Sequence, residues 1–425
     1  MKMIDDFIST AKGSSKTALI YRRNRKWINK TFSEFLNDIF KMNSLIKEKV
    51  NDDNILVFSH PYKYEFYVTA FSVILSGKNL VIIDSFKDKN KLNYMIETAS
   101  VKSYICDNIT KYISFIFPKR ISKIKSEDLY NYEPLELNKD SGKVITFTSG
   151  TTGNPKMITR NINFLFDQIK LVQENISYSK SELVYGLLPM YSLMSLFLGN
   201  TTIIDKNPNK VAGHNPTALI TSIKAIQKIK KPLKTVEKAF IGGAILYAKE
   251  AVKLQNNLPN SEITYVYGAS ESAMIYKTTV SDFINNPFVF DKPIKGINIS
   301  IKNPDANNVG EIVINGDMVI GENNEHLTGD LGILENGKLK IVGRKKYSQL
   351  GFYNYLIDED VLFNNPNAKE AFSFVFKNKK YIVYRGKITN YLDGVTYKKV
   401  RAIPHDLKHK TKADYSKLIE LIENL

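Results

Sequence analysis

The sequence predicts an α/β protein: a large N-terminal domain of mixed sheets flanked by helices, followed by a smaller α+β domain. Segments typical of strands and helices alternate between about residues 54 and 106, which favours a parallel sheet covered by helices. From about residue 288, short strands separated by Gly, Asn and Asp turns indicate a small β-barrel. The length of 425 residues exceeds one ordinary core. We therefore predict domains at 1–343, with the barrel-like part at about 288–342, and at 344–425.

The first half of the chain opens with a predicted strand pair within residues 17–30. Thr31 and Glu34 form a capping-box pattern, which predicts that a helix begins there. Apolar residues then repeat at helical spacing through Phe40. The alternating elements that follow are predicted as strands at 54–59, 80–83 and 103–106 and helices at 64–75 and 92–98.

In the second half, the apolar residues 144–145 predict a short buried strand, and a helical pattern covers 164–172. Residues 182–189 predict a strand that leads into a loop. A helix is predicted at 216–229 from apolar residues on one side. The remaining predictions in this half are strands at 238–241 and 262–267.

The composition, with 43% hydrophobic and 24% charged residues, is that of an ordinary globular protein. No run of about 18 apolar residues predicts a membrane span. The first residues lack the basic-then-apolar pattern of a signal peptide. Cys106 is the single cysteine, so it cannot form an internal disulfide, and we interpret it as a strand residue rather than a reactive thiol. Together these observations predict a cytoplasmic protein.

Basic residues are in excess, since 60 Lys and Arg oppose 43 Asp and Glu and give a formal net charge of +17. The charge is spread over the chain, which favours a solvated lysine-rich surface over a nucleic-acid site. The stretch from Lys377 onward is locally more basic, with twelve Lys and Arg against five Asp and Glu. This net +7 is suited to an acidic partner protein or to a phosphorylated cofactor.

A stretch rich in hydroxyls and glycines, residues 146–156, ends in a lysine. Glycines permit close approach of the backbone, so several N–H groups can converge on one anion. The hydroxyls add donors, and Lys156 adds a cation for a triphosphate. A plain surface turn is the alternative, and a Walker A loop fits less well because Met157 follows the lysine. The candidate phosphate-binding residues are Thr148, Ser149, Gly150, Thr151, Thr152, Gly153 and Lys156.

This stretch resembles the phosphate-binding motif of the adenylate-forming superfamily, which contains acyl-CoA synthetases, peptide-synthetase adenylation domains and luciferases. Residues 241–244 resemble the family's turn whose backbone packs against one face of adenine. Residues 267–271 resemble its YGxTE motif, in which an aromatic ring covers the other face, a hydroxyl meets the α-phosphate and a glutamate holds Mg²⁺. Aromatic rings do stack on bases, and carboxylates do suit Mg²⁺. The resemblance implies nucleotide contacts by Gly243, Ala244, Tyr267, Gly268 and Ser270 and a metal ligand at Glu271.

Three more motifs follow in the family's order. Residues 328–332 resemble the TGD motif, whose aspartate, here Asp330, binds the ribose hydroxyls; two acceptor oxygens can bridge a vicinal diol. Residues 339–344 resemble the segment before the interdomain hinge, with Arg344 as a further ribose contact. Residues 403–414 resemble the catalytic-lysine motif, which assigns Lys412 to the carboxylate substrate and the α-phosphate. A structural turn and a solvated basic tail are the alternatives for these motifs taken singly.

Two departures from the family bear on the acid and on the acceptor. Where the family often has a histidine near the acyl pocket, this chain has Ser192 among apolar residues. The candidate pocket residues are therefore Ser192, Leu193 and Met194, although core residues would show the same pattern. Residues 345–425 number only 81, fewer than in the usual small domain, so transfer to a thiol is less strongly implied than adenylation.

The resemblance implies an acid–thiol ligase that activates a fatty or other apolar acid with ATP and Mg²⁺ and transfers it to coenzyme A. The alternatives within the same adenylating chemistry are an enzyme that loads an acidic carrier protein and an enzyme that closes a β-lactone. From another class, the chain would be a non-catalytic nucleotide or nucleic-acid binder. Under the leading hypothesis, neither a nucleic-acid partner nor a membrane span is expected.

Overall fold

The structure is a computed structural model that describes residues 2–83, 88–107, 116–118, 121–135, 142–148, 154–176, 182–226, 228–405 and 413–423. The chain divides into two compact units, residues 1–239 and 240–425. The domain boundary predicted between residues 343 and 344 lies inside the second unit and stays a prediction. Among the described helices, none combines the length and apolar character that a membrane span requires.

The elements of the first unit alternate as the sequence predicted for most of its length. In chain order they are α1 (Lys2–Ala11), β1 (Thr17–Arg23), β2 (Lys26–Thr31), α2 (Phe32–Lys49), β3 (Asn54–Phe58), α3 (Tyr64–Leu75), β4 (Asn79–Ile82), α4 (Lys89–Thr98), β5 (Ser103–Cys106), β6 (Ser122–Lys125), β7 (Lys143–Thr148), β8 (Lys156–Asn161), α5 (Ile162–Ile176), β9 (Leu183–Gly186), α6 (Pro189–Phe197), β10 (Thr201–Ile204), α7 (Pro208–Val211), β11 (Ala218–Ser222) and α8 (Ile223–Ile226).

Two sheets organise the first unit. One has the strand order β6-β5-β3-β4-β7-β8 and is parallel except for β8, which runs antiparallel to β7. In the other, β11, β9, β10 and β1 are parallel neighbours, and β2 forms an antiparallel hairpin with β1. The predicted parallel sheet covered by helices is therefore confirmed.

Local sequence signals fix several of these elements. The capping box is confirmed, because the Glu34 N–H donates to Thr31 Oγ1 at 3.1 Å and the Thr31 N–H donates to Glu34 Oε2 at 2.8 Å. Helix α3 has the predicted bounds and is buried along its whole length, as its nearly continuous apolar sequence requires. Cys106 is fully buried on β5, and burial raises the pKa of its thiol to about 11, which agrees with a strand residue.

The helix predicted at 216–229 is wrong. Strand β11 (Ala218–Ser222) occupies the first part of this segment, and the one-turn helix α8 follows it. Residues 218–220 are buried inside the sheet, and a short apolar run of this kind cannot be assigned by periodicity alone. The loop predicted after residues 182–189 is also corrected, since α6 begins at Pro189, a residue whose fixed φ suits the first helical turn.

The second unit contains short strands and few helices. In chain order they are β12 (Lys238–Gly242), which spans the boundary between the units, α9 (Ala248–Asn257), β13 (Glu262–Tyr267), β14 (Tyr276–Thr279), α10 (Val280–Asn285), β15 (Val289–Phe290), β16 (Lys292–Pro293), β17 (Asn298–Lys302), β18 (Gly310–Asn315), β19 (Glu325–Glu335), β20 (Lys338–Arg344), α11 (Asn354–Asn364), β21 (Ala368–Phe376), β22 (Lys379–Gly386), β23 (Val395–Lys399) and α12 (Tyr415–Glu423).

Three groups of strands build this unit. Strands β16, β14, β13 and β12 are consecutive neighbours in one sheet, and β15-β20-β19-β18-β17 form an antiparallel meander where the barrel-like part was predicted. Strands β21, β22 and β23 form a three-stranded sheet with a hydrophobic cluster on each face. Ile382 and Val383, consecutive on β22, belong to opposite clusters, as the alternation of side chains along a strand requires. The predicted small C-terminal α+β region is therefore present.

Candidate active site

The predicted phosphate-binding stretch of the first unit joins two antiparallel strands. Thr148, the last residue of β7, lies in register with Lys156, the first residue of β8. Lys156 is exposed. The residues between them that the resemblance assigns to phosphate, Ser149, Gly150, Thr151, Thr152 and Gly153, lie outside the described residues. The chain therefore turns back into the sheet after the loop, and the helix α5 begins only at Ile162.

A buried arginine, which the sequence analysis missed, braces this hairpin. Arg160 on β8 is 8% exposed, and its Nη1 donates to Thr146 Oγ1 on β7 at 2.9 Å. Two adjacent strands cannot slide past each other without breaking this bond, so it helps to fix the register that places Thr148 opposite Lys156.

The predicted adenine-binding motif, residues 241–244, begins in the last residues of β12 and continues past the end of that strand at Gly242. We call residues 243–246, which follow β12, the adenine-binding turn. Gly243 has φ of +77°, a conformation that favours glycine. Gly243 is exposed and Ala244 is half-buried. A side chain on Gly242 would lie 3.1 Å from the Val266 carbonyl oxygen of the adjacent β13, so the bare backbone permits the close approach of the two strands.

Tyr267, predicted to cover one face of adenine, and Arg344, predicted to contact the ribose, converge on the carboxylate of Asp330, the predicted ribose ligand. The Tyr267 hydroxyl donates to Asp330 Oδ2 at 2.9 Å, and Arg344 Nη1 lies 3.2 Å from Asp330 Oδ1. Each carboxylate oxygen thus accepts from one protein group, and each retains acceptor capacity for a hydroxyl. Burial and the Asp330 charge raise the pKa of Tyr267, so it remains a donor, and the same carboxylate raises the pKa of Arg344. We call Tyr267, Asp330 and Arg344 the ribose cluster.

A β-bulge in β19 positions Asp330 within the ribose cluster. Along the β18–β19 pair, Glu311 faces Leu331 and Val313 faces Leu327, so β19 has three residues where β18 has one. The Thr328 hydroxyl accepts from the Asp330 N–H at 3.1 Å and donates to the Ile312 carbonyl at 2.9 Å. Gly329 has φ of +73°, which only a residue without Cβ adopts easily. The Thr-Gly-Asp sequence is therefore a structural requirement of the bulge as well as a ligand-binding signal.

The motif at residues 267–271 forms a tight turn after β13. A Cβ on Gly268 would lie 1.9 Å from the Ala273 carbonyl oxygen, so no other residue fits there. Ser270 is exposed, as a contact to an α-phosphate requires. Glu271 is 7% exposed, and its Oε2 lies 3.5 Å from His326 Nε2 on β19.

Glu271 fits the role of a Mg²⁺ ligand. Mg²⁺ is usually held by one or two carboxylates together with substrate phosphates and water, rather than by an all-protein cage. A buried carboxylate oxygen is the hard ligand that this mode needs. Among the residues that the structure describes, no group of three or more His, Cys, Asp or Glu side chains converges to hold a metal by itself.

The remaining predicted residues fall in separate places. Ser192, Leu193 and Met194 are buried on α6, and a Cβ on Gly186 would lie 2.1 Å from Ser192 Oγ, so this helix packs tightly against β9. Lys412 lies outside the described residues. At the predicted hinge, Lys345 Nζ contacts Glu311 Oε2 at 2.8 Å.

Three further residues that contact or adjoin predicted site residues were not predicted from the sequence. Tyr355 on α11 lies close enough to Asp330 for that charge, after burial, to raise the pKa of its hydroxyl. His326 adjoins Glu271, and Tyr265 bonds to the adenine-binding turn. A histidine two residues before the Thr-Gly-Asp motif was visible in the sequence, but the two tyrosines carry no local signal.

Comparisons with known proteins identify the family of this chain. The model of the family described as "AMP-binding enzyme" matches residues 8–321. The protein is 22% identical over 399 residues to VraA of Staphylococcus epidermidis, described as a long chain fatty acid-CoA ligase, covering 84% of this chain and 82% of that protein. It is 20% identical over 398 residues to a 2-succinylbenzoate–CoA ligase of Lactococcus lactis, covering 85% of each. The fold is similar to that of ATP-bound MatB from Rhodopseudomonas palustris, with a TM-score of 0.83, 16% identity and 98% of each chain covered. The resemblance to the adenylate-forming superfamily is thereby confirmed, and the chain belongs to the AMP-binding enzyme family.

Proposed function

We propose that the protein is an acid–thiol ligase that converts a carboxylic acid into its acyl-adenylate and then into a thioester of coenzyme A. The observation that carries this proposal is the ribose cluster beside the buried carboxylate of Glu271. Tyr267 and Arg344 converge on Asp330, at 2.9 and 3.2 Å, and the family uses all three positions on the nucleoside. The relatives described as CoA ligases support the acceptor.

In the first step, a carboxylate oxygen of the acid forms a bond to the α-phosphorus of ATP, and the bond from that phosphorus to the bridging oxygen breaks. Pyrophosphate leaves with the electron pair of that bond. Asp330 binds the ribose hydroxyls, Ser270 donates to the α-phosphate, and Lys156 places a cation at the phosphates. Mg²⁺ held by Glu271 would neutralise phosphate charge. Lys412 is proposed to bridge the acid and the α-phosphate in the transition state.

In the second step, the thiol of coenzyme A loses its proton, its sulfur forms a bond to the acyl carbon, and AMP leaves. The proposed acid is apolar, because Leu193 and Met194 adjoin the fully buried Ser192 where the family often has a histidine. A long-chain acid and 2-succinylbenzoate are the first candidates to compare, since relatives are named for one or the other.

The test is acid-dependent exchange of pyrophosphate into ATP across a panel that contains long-chain acids, short acids and 2-succinylbenzoate. We expect exchange with at least one apolar acid, and we expect coenzyme A to convert exchange into net formation of AMP and thioester. Adenylate without thioester under every condition would favour loading of a carrier protein or closure of a lactone. Retention on DNA that depends on salt, without exchange for any acid, would favour the non-catalytic binder.

A further inference from the structure

The adenine-binding turn presents mainly backbone to a ligand, so its position depends on whatever holds that backbone. Residues 243–246 follow the end of β12 and lie before the first turn of α9, outside both elements. Backbone groups in such a turn need partners from elsewhere in the protein. Two tyrosines hold this turn: the Tyr265 hydroxyl bonds to its backbone, and Tyr247, the residue that follows it, is anchored through its own hydroxyl to α11.

Tyr265 on β13 bonds directly to the backbone of the turn. Its side chain is 3% exposed, and its hydroxyl donates to the Ala244 carbonyl at 2.9 Å while accepting from the Leu246 N–H at 3.2 Å. One oxygen therefore bridges two backbone groups two residues apart, which fixes the curvature of the turn. Burial raises the pKa of this hydroxyl, so it keeps the proton that it donates.

Tyr247, the residue that follows the turn, is anchored to α11. Its hydroxyl lies 2.9 Å from Asp358 Oδ2 on α11, and the neighbouring Ala248 N–H donates to Glu359 Oε2 at 3.0 Å. Asp358 has no exposed surface, and its Oδ1 accepts from the Ser373 N–H on β21 at 2.6 Å. A buried carboxylate costs several kcal/mol unless hydrogen-bond partners compensate. The partners of Asp358 are Tyr247, which directly precedes α9, and Ser373 on the C-terminal sheet, so Asp358 links these two regions.

We propose that Tyr265 and Tyr247 are positioning residues for the nucleotide base, with Tyr247 acting through Asp358. The proposal rests on the proposed function, because the turn must meet a base for its position to matter. Tyr265 sets the shape of the turn against β13, and Tyr247 ties it to α11. The three-stranded sheet at the C-terminal end thereby contributes to nucleotide affinity without touching the nucleotide.

Tyr265→Phe removes one oxygen and keeps the ring, and Tyr276→Phe is the matched control. Tyr276 is 4% exposed on the adjacent strand β14, and its hydroxyl donates to the Gly337 carbonyl at 3.1 Å, away from the turn. Tyr265→Phe loses two hydrogen bonds to backbone and Tyr276→Phe loses one, so both should lower the unfolding temperature, Tyr265→Phe by the larger amount.

The Kd for ATP separates the two variants. We expect it to rise about tenfold in Tyr265→Phe, equivalent to about 1.4 kcal/mol, and to stay within about twofold in Tyr276→Phe. Preference for ATP over GTP should fall in Tyr265→Phe, whereas the turnover rate at saturating ATP should hold. Tyr247→Phe, an independent variant of the same turn, should raise the Kd about threefold.

Equal ATP affinity and equal base preference in the wild type and in both turn variants would overturn the positioning role. So would equal losses in Tyr265→Phe and Tyr276→Phe, since these would show a general loss of stability. A wild type that binds ATP but supports no acid-dependent exchange would overturn the proposed ligase while leaving this test valid. A wild type that binds no ATP would overturn both.

Discussion

The two groups of predicted nucleotide-binding residues are built in different ways. In the first unit, Thr148 and Lys156 pair at the end of a hairpin where the connecting segment begins, and Lys156 is exposed. In the second unit, Asp330 is held by Tyr267 and Arg344 within a bulge that Thr328 braces. The predicted nucleoside contacts are thus fixed by hydrogen bonds within the protein, whereas the predicted phosphate contact that the structure describes, Lys156, is an exposed cation. Recognition of the nucleoside should therefore depend on geometry, and contact with phosphate on charge.

Lys412 provides a kinetic reference for this comparison, because its proposed contacts form in the transition state. Lys412→Ala should slow adenylate formation by about 100- to 1,000-fold, as for loss of one transition-state donor, and leave the Kd for ATP nearly unchanged. Pyrophosphate exchange and equilibrium binding of ATP measure the two quantities. Lys410→Ala is the control, and if that variant lost the exchange instead, the assignment within the motif would move to Lys410.

Asp330→Asn tests the nucleoside end. Losing the charge weakens the proposed charge-assisted hydrogen bonding to the ribose, worth about 1.5 to 3 kcal/mol in total, so affinity should fall by about 10- to 100-fold. The loss should be the same for ATP and AMP, since both carry the ribose. Asp282→Asn, which removes a carboxylate at the start of α10, is the control. A loss confined to ATP would contradict a ribose contact.

Glu271→Gln tests the metal. It keeps the shape of the side chain and removes the charge, so the Mg²⁺ concentration for half-maximal exchange should rise at least about tenfold, the lower range for loss of a residue at a metal site. Titration of exchange activity with Mg²⁺ measures it, with Glu325→Gln as a control on an exposed acid of β19. A titration curve that matches the wild type would remove Glu271 as the ligand.

Lys156→Ala tests the phosphate end. The exposed cation should contribute at most about 1 kcal/mol, so the Kd for ATP should rise about fivefold while the Kd for AMP stays the same. The difference between wild type and variant should shrink in high salt, because salt screens exposed charges. Equal weakening of ATP and AMP would show that Lys156 supports the fold of the hairpin rather than the phosphates.

The smallest effect concerns pH and the buried Asp358. Burial raises the pKa of this carboxyl above its ordinary value, so its contribution to stability is complete at low pH and is lost as the pH rises through the folded-state pKa. Asp358→Asn does not titrate, and it should therefore gain stability relative to the wild type between about pH 4 and pH 7. Urea unfolding of both proteins at about pH 4 and at about pH 7 measures this difference in stability. Asp360→Asn, which removes an exposed acid on the same helix, is the control. A fall in the stability of Asp358→Asn relative to the wild type between these pH values would contradict the assignment.

Sequence reasoning succeeded where the signal is local. The capping box at Thr31 and the ends of α3 follow from neighbouring residues, and the motif containing Asp330 identifies itself by three consecutive residues. It failed at 216–229, where burial inside a sheet overrides an apparent helical pattern. Tyr265 and Tyr355 could not be found from the sequence, because their importance arises from strand and helix pairing between residues distant in the chain.

The proposed first step is attack of an acid on the α-phosphorus of ATP, and this step transfers a carboxylate oxygen of the acid to AMP. An acid whose carboxylate is labelled with ¹⁸O is incubated with the wild type, ATP, Mg²⁺ and coenzyme A, and the products are analysed by mass spectrometry. The carboxylate oxygen that bonds to phosphorus stays with it when the thiol takes the acyl group. We therefore expect AMP that carries one ¹⁸O, together with unlabelled pyrophosphate. Label in inorganic phosphate with ADP as the nucleotide product, or AMP without label, would contradict the account.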